Sequence, residues 1–369
     1  MGALTRMVHE WTDAVNDLLP TLHGHTRKAL ASFSYAMCVA GHCHSGPLAA
    51  SVPSQAKPAS SRRRWERLLA NDALDGSATL LQLSESVLKN LPAAGQRPKV
   101  LLVLDETPNG EGLRSLRLGL AYRKRLLNLA AYCYPTGQLP CAMPRLICRM
   151  IKEIAQLLPP DAIVTFLCDR GLAWPSVMDE VCRHGWDHVL RLQRTTRVKT
   201  PDGKVVAAGS LVKRAGAKPW QGRAVIFKKA GWREAYVTVV WDKRAKEPWI
   251  LAARSDSNKR GLRAACAYAK RNWCEQTFRD EKSHGFHWHE SHVTDATRAM
   301  KLVLVMTLAT LLSISLGTWL IKAGHRRDLD PHHFRRLSVF QLGMRWLQHL
   351  LVHLGDSVLP PHLPYLYPK

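Results

Sequence analysis

Residues 268–282 read YAKRNWCEQTFRDEK and set one carboxylate, Glu275, among several cations. On a helix each residue advances about 100°, so with Tyr268 at zero, Arg271 falls at roughly −60°, Glu275 at roughly −20° and Lys282 at roughly −40°. Asp280 and Glu281 fall well away from this stripe. A solvated helix held by i,i+4 ion pairs alternates in sign along its face. One acid inside a cationic stripe instead has the pattern of a metal ligand flanked by phosphate-binding groups. Two more carboxylates follow buried apolar runs: Asp105 after KVLLVL and Asp169 after AIVTFLC. An acid after a strand often serves only as a cap or turn residue. A strand end is also a rigid mount, and open α/β sheets place their chemistry there. Two such acids on separate strands of one sheet can lie close together. Three carboxylates from two strands and a helix form an all-oxygen donor set that suits Mg²⁺. Two such ions about 4 Å apart activate a water or a 3′-OH and stabilise the leaving oxygen of a phosphodiester. Arg and Lys on the same stripe neutralise the flanking phosphates.

The rest of the chain carries the matching charge. Its 369 residues hold 53 Lys and Arg against 29 Asp and Glu, a formal net charge of +24 and a pI near 10.0. That excess calls for a polyanionic partner, nucleic acid before an anionic membrane or a ribosomal location. The nine cysteines are scattered and form no CxxC pair, so they read as reduced thiols of a cytosolic protein. CVAGHCH at 38–44 reads as buried thiols beside a helix, because no second ligand pair stands at zinc-finger spacing. HGFHWHESH at 284–292 does not match a ligand spacing such as HExxH and reads as a loop or DNA-facing cluster. Residues near the start form no continuous apolar stretch, so no secretory signal is expected. Residues 302–321, LVLVMTLATLLSISLGTWLI, are long enough to span a bilayer. Their Thr and Ser content, and the charge elsewhere, favour a buried helix covering a sheet.

The elements that must position the carboxylates follow from periodicity. Residues 1–95 read as helical, with MVHEWTDAVNDLL amphipathic, SSRRRWERLLAN entered through a serine cap, and a Pro/Ser/Ala linker between them. Arg62, Arg63 and Arg64 suit either phosphate contact or a solvated helix start. From Lys99, three strands, read as antiparallel neighbours by their short connections, are followed by a helix ending at Pro159-Pro160, a strand, a helix and a strand. That order makes an α/β mixed sheet with covering helices. Residues 191–260 read as strands joined by Gly-containing turns. Their 18 Lys and Arg against five Asp and Glu supply more than half of the net charge, as a basic β insertion in the α/β core. The expected divisions are a helical N-terminal DNA-binding region at 1–95, a catalytic core at 96–190 and 261–355, the insertion at 191–260 and a tail at 356–369.

The spacing Tyr268, two residues, Arg271, three residues, Glu275, six residues, Lys282 resembles the YREK signature of the DDE transposases of bacterial cut-and-paste insertion sequences. FLCDRG resembles the family's second-aspartate motif, pointing to Asp169, and LLVLDET the first, pointing to Asp105. EPWILA resembles the strand whose tryptophan, here Trp249, stacks on a flipped base near the cleavage site. The resemblance covers about residues 95–350, and a β insertion between second aspartate and glutamate is part of it. It implies an RNase H-like core in which Asp105, Asp169 and Glu275 are catalytic and hold two Mg²⁺ ions, with Mn²⁺ as a substitute. It assigns Tyr268, Arg271, Lys282, Trp249 and Arg279 to DNA. It further implies hairpin-mediated cleavage at terminal inverted repeats, strand transfer into target DNA, a homodimer on paired ends, no membrane, and a bacterial cytoplasm at the nucleoid. The competing readings are an RNase H-like nuclease that does not join strands, a non-catalytic nucleic-acid-binding protein from a decayed element, and a membrane-associated protein. The basic insertion with Trp249 argues against the first, and retention of all three carboxylates against the second.

Overall fold

The computed structural model describes residues 3–89, 97–109, 112–352 and 360–366. The expected boundary near residue 95, and the expected tail apart from 360–366, lie outside the described residues.

Five helices come first: α1 (Ala3–Leu18), α2 (Gly24–Ala40), α3 (Ser45–Ala50), α4 (Pro58–Ala70) and α5 (Gly76–Lys89). Two details differ from the expectation. The segment expected as a linker contains α3, and α4 starts at Pro58 rather than at a serine cap. Proline at the first turn has no N–H to leave unpaired and its φ is already helical, so it opens the helix. Ser60 and Ser61, the serines that open SSRRRWERLLAN, both lie inside α4, and Ser61 is buried.

Then come β1 (Lys99–Asn109), β2 (Leu113–Tyr122), β3 (Arg125–Pro135), α6 (Met143–Leu157), β4 (Ile163–Cys168), α7 (Pro175–Arg183) and β5 (Asp187–Arg191). β1, β2 and β3 form an antiparallel meander, as the short connections require. The turn from β2 to β3 is Arg123-Lys124, both with positive φ (49° and 64°), the geometry that matches strand twist in a two-residue hairpin. The stripe Leu146, Ile147, Met150, Ile151 and Ile154 seats α6 on the core. β4 then pairs parallel with both β1 and β5.

The insertion contributes β6 (Arg197–Lys199), β7 (Val205–Ala207), β8 (Trp220–Ile226), β9 (Arg233–Val240) and β10 (Trp249–Ala253). The short β6 was not expected from its sequence. These strands do not form a separate sheet. β10 pairs antiparallel with β5, giving one ten-stranded sheet in the order β3-β2-β1-β4-β5-β10-β9-β8-β6-β7. The mixed sheet and its flanking helices make an RNase H-like fold.

The remaining helices are α8 (Leu262–Ala269), α9 (Asn272–Arg279), α10 (Ala296–Lys322) and α11 (Val339–Val352). α10 begins where Asp295 accepts a hydrogen bond from the Arg298 amide at 2.7 Å. It packs against α2, α5, α11 and β3 and is buried from Ala299 to Leu320. It is long and apolar enough to cross a membrane, yet its most apolar stretch is wholly enclosed by protein. Its polar side chains are spent inside: Thr307 accepts from Asn128 of β3 at 3.0 Å, and Ser313 meets Cys38 of α2 at 3.3 Å.

Candidate active site

Register brings the two aspartates together. In the parallel β1–β4 ladder, Leu104 pairs with Cys168, so Asp105 and Asp169 leave that ladder side by side. Asp169 follows the last residue of β4. Asp105 does not end its strand, as expected from sequence. β1 runs on to Asn109, because β2 continues to pair with it through Leu113 after β4 has stopped. Asp105 is thus mounted mid-strand, with the β2 ladder continuing both before and after it along the chain.

The 268–282 stretch is not the single regular helix that the angular stripe assumes. It tightens between α8 and α9, where Arg271 and Lys270 donate three residues back, to Tyr268 and Ala267. It widens into a π turn over Asp280–His284. Such irregularities recur at functional sites. The stripe residues nonetheless converge on the strand ends. The Tyr268 hydroxyl donates to Asp169 Oδ1 at 2.8 Å. Arg271 donates to Asp105 Oδ2 at 2.5 Å, and its other terminal nitrogen donates to Glu275. One guanidinium therefore spans two of the three carboxylates. Lys282 Nζ donates at 2.5 Å to Thr107, two residues beyond Asp105 and hence on the same face of β1.

Asp280 and Glu281, which fall off the stripe, are structural. Arg125 of β3 grips Asp280, and Arg117 of β2 donates at 2.6 Å to both oxygens of Glu281. The Arg117 guanidinium carbon lies 5.3 Å from the Phe278 ring centroid and 5.2 Å from that of Trp288. These pairs fasten the π turn to the sheet.

The carboxylates differ electrostatically. Burial pushes the Asp105 carboxyl up to about 6, with neighbouring Asp169 adding to the rise and Arg271 and the Glu106 amide opposing it. Burial also pushes Asp169 up, but the Tyr268 hydroxyl, the Arg170 amide, Arg271 and Arg191 outweigh it and hold that carboxyl below its ordinary value. The Glu275 side chain is about half exposed (48%). Burial, reinforced by Arg117, lowers the Lys282 amine.

Trp249 opens β10, half-buried, with its ring edge-on to Tyr268 at 5.2 Å and 76°. It therefore sits one ring away from Asp169. Arg279 is exposed at the end of α9, and its side chain makes no hydrogen bond or ion pair among the described residues. Three neighbours were not singled out from the sequence. Arg191, the last residue of β5, donates to Asp169 at 3.3 Å and to Glu247 at 2.5 Å. Arg170 donates to Glu247 at 2.7 Å. An arginine closing a strand beside the second-aspartate strand, and an acid two residues before Trp249, were the available signals.

Carboxylate oxygens are the donor type that divalent cations take, but the donor atoms of Asp105, Asp169 and Glu275 do not all lie within 4.8 Å of one another here, and the Arg271 guanidinium stands between Asp105 and Glu275. Residues 146–312, somewhat under half of the chain, match the family model for the transposase DDE domain. The matched span contains Asp169, Glu275, Trp249 and the stripe residues, and begins after Asp105. No curated protein matches the chain significantly. The match supports a DDE transposase, which implies phosphodiester cleavage and transesterification, divalent metal ions and DNA as the partner.

Proposed function

We propose that this chain is a cut-and-paste transposase of the YREK group, acting on the terminal inverted repeats of a bacterial insertion sequence. The observation that carries the reading is the meeting of Asp105 and Asp169 at the end of one parallel ladder, with Arg271 joining Asp105 to Glu275. Asp105, Asp169 and Glu275 would hold Mg²⁺, or Mn²⁺ in its place. Ions bound there supply the charge that activates a water or 3′-OH and stabilises the leaving oxygen. Arg271, released from the two carboxylates, is then free to meet a phosphate. Arg279, exposed at the end of α9, and Lys282 lie along the same path for DNA.

Hydrolysis at the transposon end leaves a 3′-OH and a 5′-phosphate. The 3′-OH attacks the opposite strand, exchanging one phosphodiester for another and closing a hairpin. A second hydrolysis opens the hairpin, and the freed 3′-OH attacks target DNA. Hairpin closure needs a distorted flank, and Trp249 offers an aromatic face on which a flipped base can stack. Helices α1 to α5 serve DNA-end recognition, two chains act on paired ends, and the enzyme works in the cytoplasm at the nucleoid with α10 as core rather than membrane anchor.

The test is incubation of the purified chain with Mg²⁺ and its flanking element DNA, with products resolved on denaturing gels. Nicked and hairpin products are expected. Nicks that never proceed to hairpins would leave a nuclease without strand joining. Absence of any cleavage would leave a DNA-binding protein alone.

A further inference from the structure

Two histidine-rich stretches that carry no ligand pair when read apart are brought together by the fold. The Cys43 amide donates to the Phe286 carbonyl at 2.7 Å, joining the α2–α3 connection to the loop that follows the π turn. Around that staple, His42 Nε2 lies 3.1 Å from Glu290 Oε2, and His287 Nδ1 lies 3.3 Å from Glu290 Oε1. The donor atoms of these three residues all lie within 4.8 Å of one another. Two donors each about 2.1 Å from a tetrahedral ion stand about 3.4 Å apart, so both carboxylate separations already have the right size. A fourth donor is at hand. His289 Nε2 is 3.4 Å from Glu290 Oε1, and its Nδ1 meets the Lys282 carbonyl at 2.5 Å. A carbonyl can only accept, so Nδ1 carries the proton and Nε2 keeps its lone pair, the outer-shell arrangement of a metal-binding histidine. His287 holds a left-handed backbone (φ 50°), and so does His292 (φ 56°). A non-glycine residue adopts that conformation at a cost that tends to be met at functional sites.

We propose that His42, His287 and Glu290, with His289 as fourth donor, bind one imidazole-preferring ion of the Zn²⁺ class that clips the N-terminal helices to the loop after the YREK stretch. Imidazole and carboxylate donors suit Zn²⁺, Co²⁺ or Ni²⁺ and not Mg²⁺, so this site is chemically distinct from the aspartate pair. The distances are preformed but the ring orientations are not. The His42 and His287 rings are stacked, with centroids 4.9 Å apart and planes 9° apart, whereas a shared ion lies in the plane of each ring it binds. One ring must therefore turn on capture. His42 Nδ1 also accepts from the His44 amide at 2.9 Å. Its proton must pass from Nε2 to Nδ1 when the ion takes Nε2, which releases that amide. Through His289 and the Lys282 carbonyl, the clip reaches the backbone of a residue whose side chain faces β1.

The experiment is calorimetric titration of the full chain with ZnCl₂ in excess MgCl₂, repeated with Co²⁺ for its visible absorption and followed by thermal melting. One Zn²⁺ per chain is expected, undisturbed by Mg²⁺, with a tetrahedral Co²⁺ spectrum and a rise in melting temperature. His287→Ala is expected to weaken binding by at least about tenfold and to abolish the rise. His287→Asn is the companion variant, because asparagine tolerates a left-handed backbone and keeps the fold if alanine does not. His332→Ala/His333→Ala, an exposed pair elsewhere, and Asp105→Ala should bind Zn²⁺ as the wild type does. Equal binding by wild type and both His287 variants, displacement by Mg²⁺, or loss of binding in Asp105→Ala would overturn the proposal.

Discussion

Four acids that look interchangeable in composition have unlike environments, and their variants should separate accordingly. The Glu281 side chain is 2% exposed and its partner Arg117 is fully buried. Removing Glu281 leaves a buried guanidinium without its counter-charge, so Glu281→Ala should lose about 3–5 kcal/mol of stability, read as a lower melting temperature whether or not DNA is present. Glu275 is half exposed, and Arg271 retains Asp105 when Glu275 is gone. Glu275→Ala should therefore melt close to wild type while losing Mg²⁺-dependent cleavage. Asp105→Ala and Asp169→Ala should likewise lose cleavage and keep DNA binding, slightly strengthened because a charge that repels phosphate is gone. Vigorous nicking by any of the three would remove that residue from the catalytic set.

At the scale of elements, two mounts invite tests. β10 delivers Trp249 edge-on to Tyr268, half-buried rather than enclosed. A core tryptophan replaced by alanine costs about 3–5 kcal/mol, whereas a base-stacking ring contributes about 1–3 kcal/mol per base and only where DNA is distorted. Trp249→Ala is expected to stay folded and nick the first strand, yet form hairpins poorly. A large fall in melting temperature with equal loss of nicks and hairpins would make Trp249 an anchor instead. The second mount is the α10–α11 contact. A Cβ on Gly343 would fall 1.8 Å from the Ser313 carbonyl oxygen, and one on Gly317 would fall 1.9 Å from that of Val339. Backbone meets backbone there, with no side chain free to yield. Gly343→Ala should push α11 off α10 at a cost of at least about 1–3 kcal/mol, seen as a lower denaturant midpoint.

For the whole molecule, the net charge of +24 and its concentration in residues 191–260 predict binding driven by counterion release. Because β10 joins β5, the basic strands extend the sheet that carries Asp105 and Asp169, and phosphate contacts can continue outward from the site. Affinity for element-end DNA should fall steeply and linearly in log–log form as salt rises from about 50 to 200 mM, measurable by fluorescence anisotropy. A flat dependence would refute the electrostatic account. The same scale governs residues 302–321: a helix buried on every side should stay in the soluble fraction, and protein that needs detergent to leave washed membranes would contradict this.

What the sequence determined by itself is what local spacing encodes. Short apolar runs, helical spacing and short connections marked β1 to β5 and the intervening helices in their order. Helical spacing put Tyr268, Arg271, Glu275 and Lys282 on one side of the chain, and that side still meets the strand ends although the helix tightens near 270 and widens at 280–284. The tertiary structure alone decided which distant groups meet. Arg117 with Glu281, Arg191 with Glu247, and His42 with Glu290 are pairs set by packing between elements far apart in sequence. No periodicity carries that information, because a side chain's pattern records which face is buried and not what it is buried against. For the same reason hydropathy could not distinguish α10 from a membrane span. Protein and lipid both exclude water, and only the surrounding helices and β3 show which of them encloses this helix.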